Sequence, residues 1–390
     1  MIQKIDTEVA IIGGGIVGGS AALFLRRQGV PVVLLEAALC GAKASGVNYG
    51  GVRRQGRGLE QMPLTRRAHE LWGQLPALIG TDGEYVRSGH LKLACSEADL
   101  ALLEAYRQRT RGFGMNLQML DRRALARRFG WLGRDVAGGS ICPEDGHANP
   151  RLVSPAFARA AGALGADVRE GARVTSARHD GSRFIVRVGD ALEVRSRFLL
   201  NCAGAWAGRF AEGFGEVVPE TSIHPLMMVT EPLPVFMSVS LGVQGGGIYA
   251  RQVTRGNCVI GGGRGVSLDP DFARPGRANL GALMANAVKL LPVLRGAQVI
   301  RFWTGVEGSM PDHNPVLGPS AVVPGLFHAF GLSGAGFQIG PAVGEVLSEL
   351  VVHGRSSIPI DAFRIERYAD AAHGAVARPE SVREQTLESP

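Results

Sequence analysis

Lysine is scarce in this chain of 390 residues: only Lys4, Lys43, Lys92 and Lys289 occur. The formal net charge of +7 therefore comes almost wholly from arginine. The arginines are scattered, and pairs such as Arg122-Arg123 fall on faces that water would cover, so there is no basic stripe to track a nucleic-acid backbone. Cysteine is also scarce. The five residues (Cys40, Cys95, Cys142, Cys202, Cys258) are far apart and none has a CxxC spacing. That spacing argues against a metal site or iron–sulfur cluster, and the expected setting is a reducing cytoplasm. No apolar run approaches the roughly 18 residues that a membrane span needs. Lys4, Asp6 and Glu8 break up the first residues, so no signal peptide is expected. The length allows two domains with sizeable cores, and 45% hydrophobic with 20% charged residues is ordinary for a soluble protein.

Glycine, by contrast, is abundant, with 55 residues clustered between apolar runs. The first cluster organises the chain. Val9-Ala10-Ile11-Ile12 meets Gly13-Gly14-Gly15-Ile16-Val17-Gly18, a run with helical spacing follows to Gly29, and Val32-Val33-Leu34-Leu35 ends in Glu36. Strand, tight turn, helix, strand and acid arrive in the order of the dinucleotide fingerprint, with Gly13, Gly15 and Gly18 at the GxGxxG positions. The first glycine allows the turn, the second lets a pyrophosphate approach the backbone, and the third lets helix and strand close up. The helix N-terminus offers N–H groups and partial positive charge to phosphates. Glu36, followed by Ala37, can accept hydrogen bonds from ribose hydroxyls. An acid there disfavours a 2′-phosphate, so FAD or NAD is expected over NADP.

Residues 41–55 form a polar, glycine-rich loop containing Ser45, Asn48, Gly50, Gly51, Arg53 and Arg54. Its composition suits a loop that wraps a ligand rather than a core element. Further on, helices are expected over residues 64–78, 96–111 (with Ser96 as cap), 121–129, 152–164 and 279–294. Strands are expected over 89–94, 167–170, 172–177, 184–188 and 197–206, and over 225–230, 247–251 and 258–261. A second glycine-rich helix start, Gly331-Leu332-Ser333-Gly334-Ala335-Gly336-Phe337, follows the strand 326–330 and extends to about residue 353. Its N–H groups suit developing negative charge. His313 and His328 read as structural rather than catalytic.

Five stretches in order now resemble one family: the fingerprint through Glu36, residues 45–53, residues 201–206, residues 311–319 and residues 331–337. Together they resemble the FAD-dependent amine and amino-acid oxidoreductases, the D-amino-acid oxidase, glycine oxidase and sarcosine oxidase group, including β subunits of heteromeric amine dehydrogenases. The resemblance covers roughly residues 5 to 370. It implies an α/β plus α+β fold, in which a Rossmann-like FAD-binding domain (1–84, 146–222 and 302–370) carries a mostly antiparallel substrate domain (85–145 and 223–301), with a tail over 371–390. It implies hydride transfer from the carbon next to a substrate nitrogen to flavin N5, giving an imine that hydrolyses.

Carried over by position, Gly13, Gly15, Ile16, Val17, Gly18, Glu36 and Ala37 would hold the ADP half, with Val174 beside the adenine. Ser45, Asn48, Gly50, Gly51, Arg53, Ala203, Gly204 and Trp206 would line the flavin's approach. Gly334, Ala335, Gly336 and Phe337 would present N–H groups to its N1/O2 edge. Gly305 stands where related proteins attach FAD through cysteine, which implies non-covalent FAD. Val259 stands where an oxygen-activating lysine is found, which favours a dehydrogenase passing electrons to a partner subunit. Glu307 replaces a carboxylate-binding arginine; it either meets a substrate cation or pairs with an arginine. Arg53, Arg54 and Arg251 are then the candidates for a substrate carboxylate, and Tyr249 for a pocket wall. Two other readings stand beside this one: an FAD-dependent 2-hydroxy-acid dehydrogenase, and a flavin-binding electron-transfer subunit with no substrate of its own.

Overall fold

The computed structural model describes residues 2–372; the tail expected over 371–390 falls, from residue 373 onward, outside the described residues. The chain opens with strand β1 (Gln3–Ile12), helix α1 (Ile16–Arg27) and strand β2 (Val32–Leu35). It returns through α2 (Pro150–Ala163), β3 (Asp167–Arg169) and β4 (Leu192–Asn201), and finally through β5 (Leu326–Phe330) and α3 (Gly336–His353). These strands form a parallel sheet in the order β5-β4-β1-β2-β3. Val9 to Ile12 are all buried because helices cover one face and an antiparallel branch the other. On the helical face α1 lies between α2 and α3. Small residues make that approach possible: a Cβ at Gly19 would sit 3.1 Å from Ala158 N, and one at Gly344 only 2.5 Å from Ser20 Cβ. On the other face, Phe184–Val188 pairs with the first half of β4, and Ser176–His179 pairs in turn with Phe184–Val188.

A second sheet of eight strands has its own core. Its order is Val299–Thr304, Pro225–Pro232, Asn257–Arg264, Tyr249–Gln252, Ser240–Val243, His90–Ala94, Gly138–Cys142, Gln118–Asp121. Only the pair Ser240–Val243 with His90–Ala94 is parallel. Leu91, Leu241, Ile260 and Met228 pack on one face against Leu283 and Ala287 of the helix Arg277–Leu290.

Three details differ from the sequence reading. Residues 302–304, assigned above to the first domain, complete the second sheet, with Phe302 opposite Met228 and Trp303 opposite Met227. The helix expected over 64–78 is interrupted at Gly73, giving Met62–Trp72 and Leu75–Ile79. Pro76 near the start of the second piece lacks the N–H that a continuous helix would need there. Of the strand expected at 172–177, only Ser176–His179 pairs; Ala172 to Thr175 turn away and line the central cavity.

Candidate active site

A continuous cavity of about 880 Å³ runs from the C-terminal ends of β1, β2 and β4 to the face of the second sheet. It lies near the top of the usual range of ligand pockets, roughly 300–1,000 Å³, in the crevice where open α/β sheets bind nucleotides.

At its first end the cavity is shaped by glycines. Gly13 has φ +101°, and a Cβ there would collide with the Cys202 carbonyl oxygen. A Cβ at Gly18 would collide with the Gly13 carbonyl, so Gly18 packs strand against helix and does not line the cavity. Gly15 caps α1, and Ile16 N–H donates to Ser45 Oγ at 3.0 Å, bringing the following loop over the helix start. Ile16, Val17, Ala37, Val174, Ala203, Gly204 and Trp206 line the same space. Glu36 is buried. Its Oε2 accepts from Gly14 N–H at 2.7 Å and its Oε1 from Ala38 N–H at 2.8 Å. Those bonds fix the carboxylate at the end of β2 and leave lone pairs for ribose hydroxyls. A helix N-terminus free of Cβ atoms and an oriented acid fit the ADP half of FAD.

The middle of the cavity corrects part of the expectation. Asn48, Gly51, Gly334, Gly336 and Phe337 line it. The Asn48 amide, however, is used within its own loop: Nδ2 donates to Ser45 O at 2.8 Å and Oδ1 accepts from Gly50 N–H at 2.8 Å. Gly50 does not line the cavity; it is pressed against the Ala148 carbonyl at φ +89°. Ala335 also lies outside, because its N–H donates to Leu332 O at 2.8 Å to close the turn before α3. Gly334 N–H donates to Glu307 Oε1, so this donor is shared with the acid rather than free.

The far wall belongs to the second sheet and the 41–57 loop. Tyr249, Glu307 and Arg53 meet there, and the Tyr249 ring lies 4.9 Å from that of Tyr49. Arg251 does not face the cavity. Tyr49 and Gly50 roof it over, and its Nε donates to Tyr49 O, so it holds the loop down. Arg54 also points elsewhere: its Nη2 lies 3.1 Å from Glu144 Oε2 and its Nε 4.0 Å from Asp145.

Sequence reasoning missed Arg57, Lys92 and His90, which all line this wall. Burial, then Arg53, pulls Arg57 down to about 9; burial, Arg53 and Arg57 pull Lys92 down to about 8. His90 is lowered well below its ordinary value by burial and the same cations, so its ring is neutral. His90 Nδ1 lies 3.2 Å from Gln55 Oε1, whose amide nitrogen is held by Ser140. Burial raises Glu307, against the Gly334 N–H bond and the charges of Arg264 and Arg57. His313 reaches the cavity, whereas His328 is fully buried, 2.8 Å from Glu216 Oε2 and 3.2 Å from Asn201.

Behind this wall, Glu220 sits under Gly308, with one oxygen accepting from Gly208 N–H at 2.8 Å and the other without a partner among the described residues. Burial pushes its carboxyl up to about 7. A raised acid binds its proton more tightly when folded, so its contribution is whole below about 4.5 and is lost as pH climbs through about 7. The loss is on the order of 2 to 3 kcal/mol. Glu220→Gln should remove this dependence, and thermal melts of the FAD-loaded protein at about pH 4.5 and about pH 8 should show the variant gaining over wild type only at the higher pH.

Residues 8–350 match the family model described as FAD dependent oxidoreductase. Among curated proteins, one subunit of the opine oxidase of Rhizobium meliloti is 28% identical over 341 residues, covering 83% of this chain and 87% of that protein. Glycine oxidase of Bacillus subtilis is 24% identical, covering 94% and 98%. Among solved structures, L-proline dehydrogenase from P. horikoshii superposes with a TM-score of 0.86 at 24% identity, covering 95% of this chain and 99% of that one. At that identity the superposition shows the fold.

Proposed function

Because this chain belongs to the FAD dependent oxidoreductase family and therefore uses FAD, we propose that it oxidises an amine or amino acid at the carbon next to nitrogen and passes the electrons to a partner subunit. The carrying observation is the continuous cavity, which joins the Gly13–Gly15 turn and Glu36 at one end to Glu307, Tyr249 and the cation group at the other. FAD, when bound, supplies the two-electron acceptor. The chain's part is to bind, to orient and to exclude water. Glu36 and the start of α1 hold the ADP half. Glu307, Arg53 and Arg57 share the far wall, so one stretch of the cavity offers a carboxylate to an ammonium and guanidiniums to a carboxylate. Of the two possibilities for Glu307, we favour the substrate cation, because it lies within 4.0 Å of no arginine among the described residues. The tyrosine pair and the second sheet shield the reacting carbon from water.

Non-covalent attachment is part of the proposal. Among the described residues, Cys202 is the cysteine that lines the cavity, and burial pushes its thiol up to about 12, a poor nucleophile at neutral pH. Gly305 lies against Val47 without a side chain to link. The partner-subunit reading is supported by Val259, a position without the oxygen-activating cation, and by the likeness to a protein named as one subunit of an opine oxidase. No described helix is long and apolar enough to cross a membrane.

Anaerobic mixing of the FAD-loaded protein with amines and with the matching 2-hydroxy acids tests the reaction: amines should bleach the flavin band and hydroxy acids should not. The reduced protein is then mixed with air. Slow reoxidation, made fast by an artificial electron acceptor, is expected; rapid reoxidation by oxygen alone would sink the dehydrogenase reading.

A further inference from the structure

Four cations on this side of the cavity have no carboxylate within 4.0 Å among the described residues: Arg53, Arg57 and Lys92, which form one group, and the exposed Arg264, whose charge acts on Glu307. Arg57 is only 8% exposed, and its Nε has no partner among the described residues. Arg53 and Lys92 converge, since a Cβ built at Gly56 would lie 3.1 Å from Arg53 Nη1 and 3.1 Å from Lys92 Nζ. The nearby buried acid, Asp145, is already engaged: its oxygens accept from Arg54 N–H at 2.9 Å and Gln55 N–H at 3.0 Å. Glu307 takes the Gly334 N–H. The group therefore faces the cavity with about three positive charges against at most one. Buried charge left uncompensated is costly and is normally completed by an opposite charge.

The group also lies apart from the pyrophosphate site. Lys92 belongs to the strand His90–Ala94 of the second sheet, and the N–H groups of Gly56 and Arg57 are held by Tyr106 Oη of that same domain. The phosphates belong at the start of α1 on the other side. One substrate carboxylate would satisfy one of these cations and leave the others exposed to each other. We propose that the substrate carries two carboxylates, both held by Arg53, Arg57 and Lys92, with its amine on the Glu307 side. This rests on the amine-oxidation reading given above. Arginine gives a planar two-point grip on one carboxylate, and lysine a point charge for the second.

The test uses the FAD-loaded protein and ligands that cannot be oxidised. Succinate and malonate should perturb the flavin spectrum at a Kd at least tenfold below those of propionate and acetate. Lys92→Met should bring that ratio close to one while keeping FAD and the folded spectrum, and Lys92→Arg should restore it. As substrates, iminodiacetate and sarcosine differ by one carboxylate, and iminodiacetate should bleach the flavin at a far lower concentration. Equal affinities for mono- and diacids, or an unchanged ratio in Lys92→Met, overturn the proposal. A diacid preference with no amine able to bleach the flavin upholds the diacid site and overturns the amine reading on which its substrate rests.

Discussion

Gly13→Ala should leave a protein that no longer retains FAD, with affinity reduced by more than two orders of magnitude. Two independent physical terms act there. The backbone holds φ at +101°, a conformation that an alanine adopts only at a cost of about 1–2 kcal/mol. The added Cβ also meets the Cys202 carbonyl, which is backbone at the end of β4 and cannot swing aside. Relief requires β1 and β4 to separate just where the phosphates approach. Gly29→Ala is the control. It too has positive φ, +77°, but its Cβ would meet nothing within 4 Å. It should lower stability by about 1 kcal/mol and leave FAD affinity unchanged. Fluorescence titration of the two apoproteins with FAD separates the cases.

Glu307→Gln should lower kcat/KM for the amine substrate about a hundredfold and remove the acid limb of its pH profile. Burial raises the Glu307 carboxyl, so its charged form appears only above the ordinary carboxylate range. As pH falls through that raised value, the group becomes neutral, attraction for the substrate ammonium is lost, and wild-type kcat/KM falls with it. Glutamine keeps the oxygen that accepts from Gly334 N–H but carries no charge at any pH. Its profile should therefore be flat across the same interval. A variant within twofold of wild type, with the acid limb intact, would show that Glu307 serves only to shape the turn before α3.

The first end of the cavity is legible in the sequence because its determinants are local. The spacing of Gly13, Gly15 and Gly18, the apolar runs around them and Glu36 all lie within one βαβ unit. The second sheet is partly legible: two strands expected from the sequence, 247–251 and 258–261, do pair, Tyr249 with Gly261 and Arg251 with Val259. Arg251 is misassigned from sequence because it shares a strand face with Tyr249. Only the folded chain shows that the Tyr49–Gly50 loop roofs one and not the other. Arg57 escapes notice because it falls two residues beyond Gln55, past the end of the polar loop as the sequence defines it. Lys92 looks like the polar position of an alternating strand, and the scarcity of lysine is the one available signal. Ala335 is misread because a glycine-rich helix start does not reveal which N–H the turn itself consumes.

The central claim is that hydrogen leaves the carbon next to nitrogen on a substrate held between Glu307 and the cations. The most direct test is anaerobic stopped-flow bleaching of the bound flavin by an amine deuterated at that carbon, beside its unlabelled form. The account predicts that bleaching slows several-fold with deuterium. Identical rates in the step where the flavin band disappears, or bleaching by the matching 2-hydroxy acid and not by the amine, would contradict it.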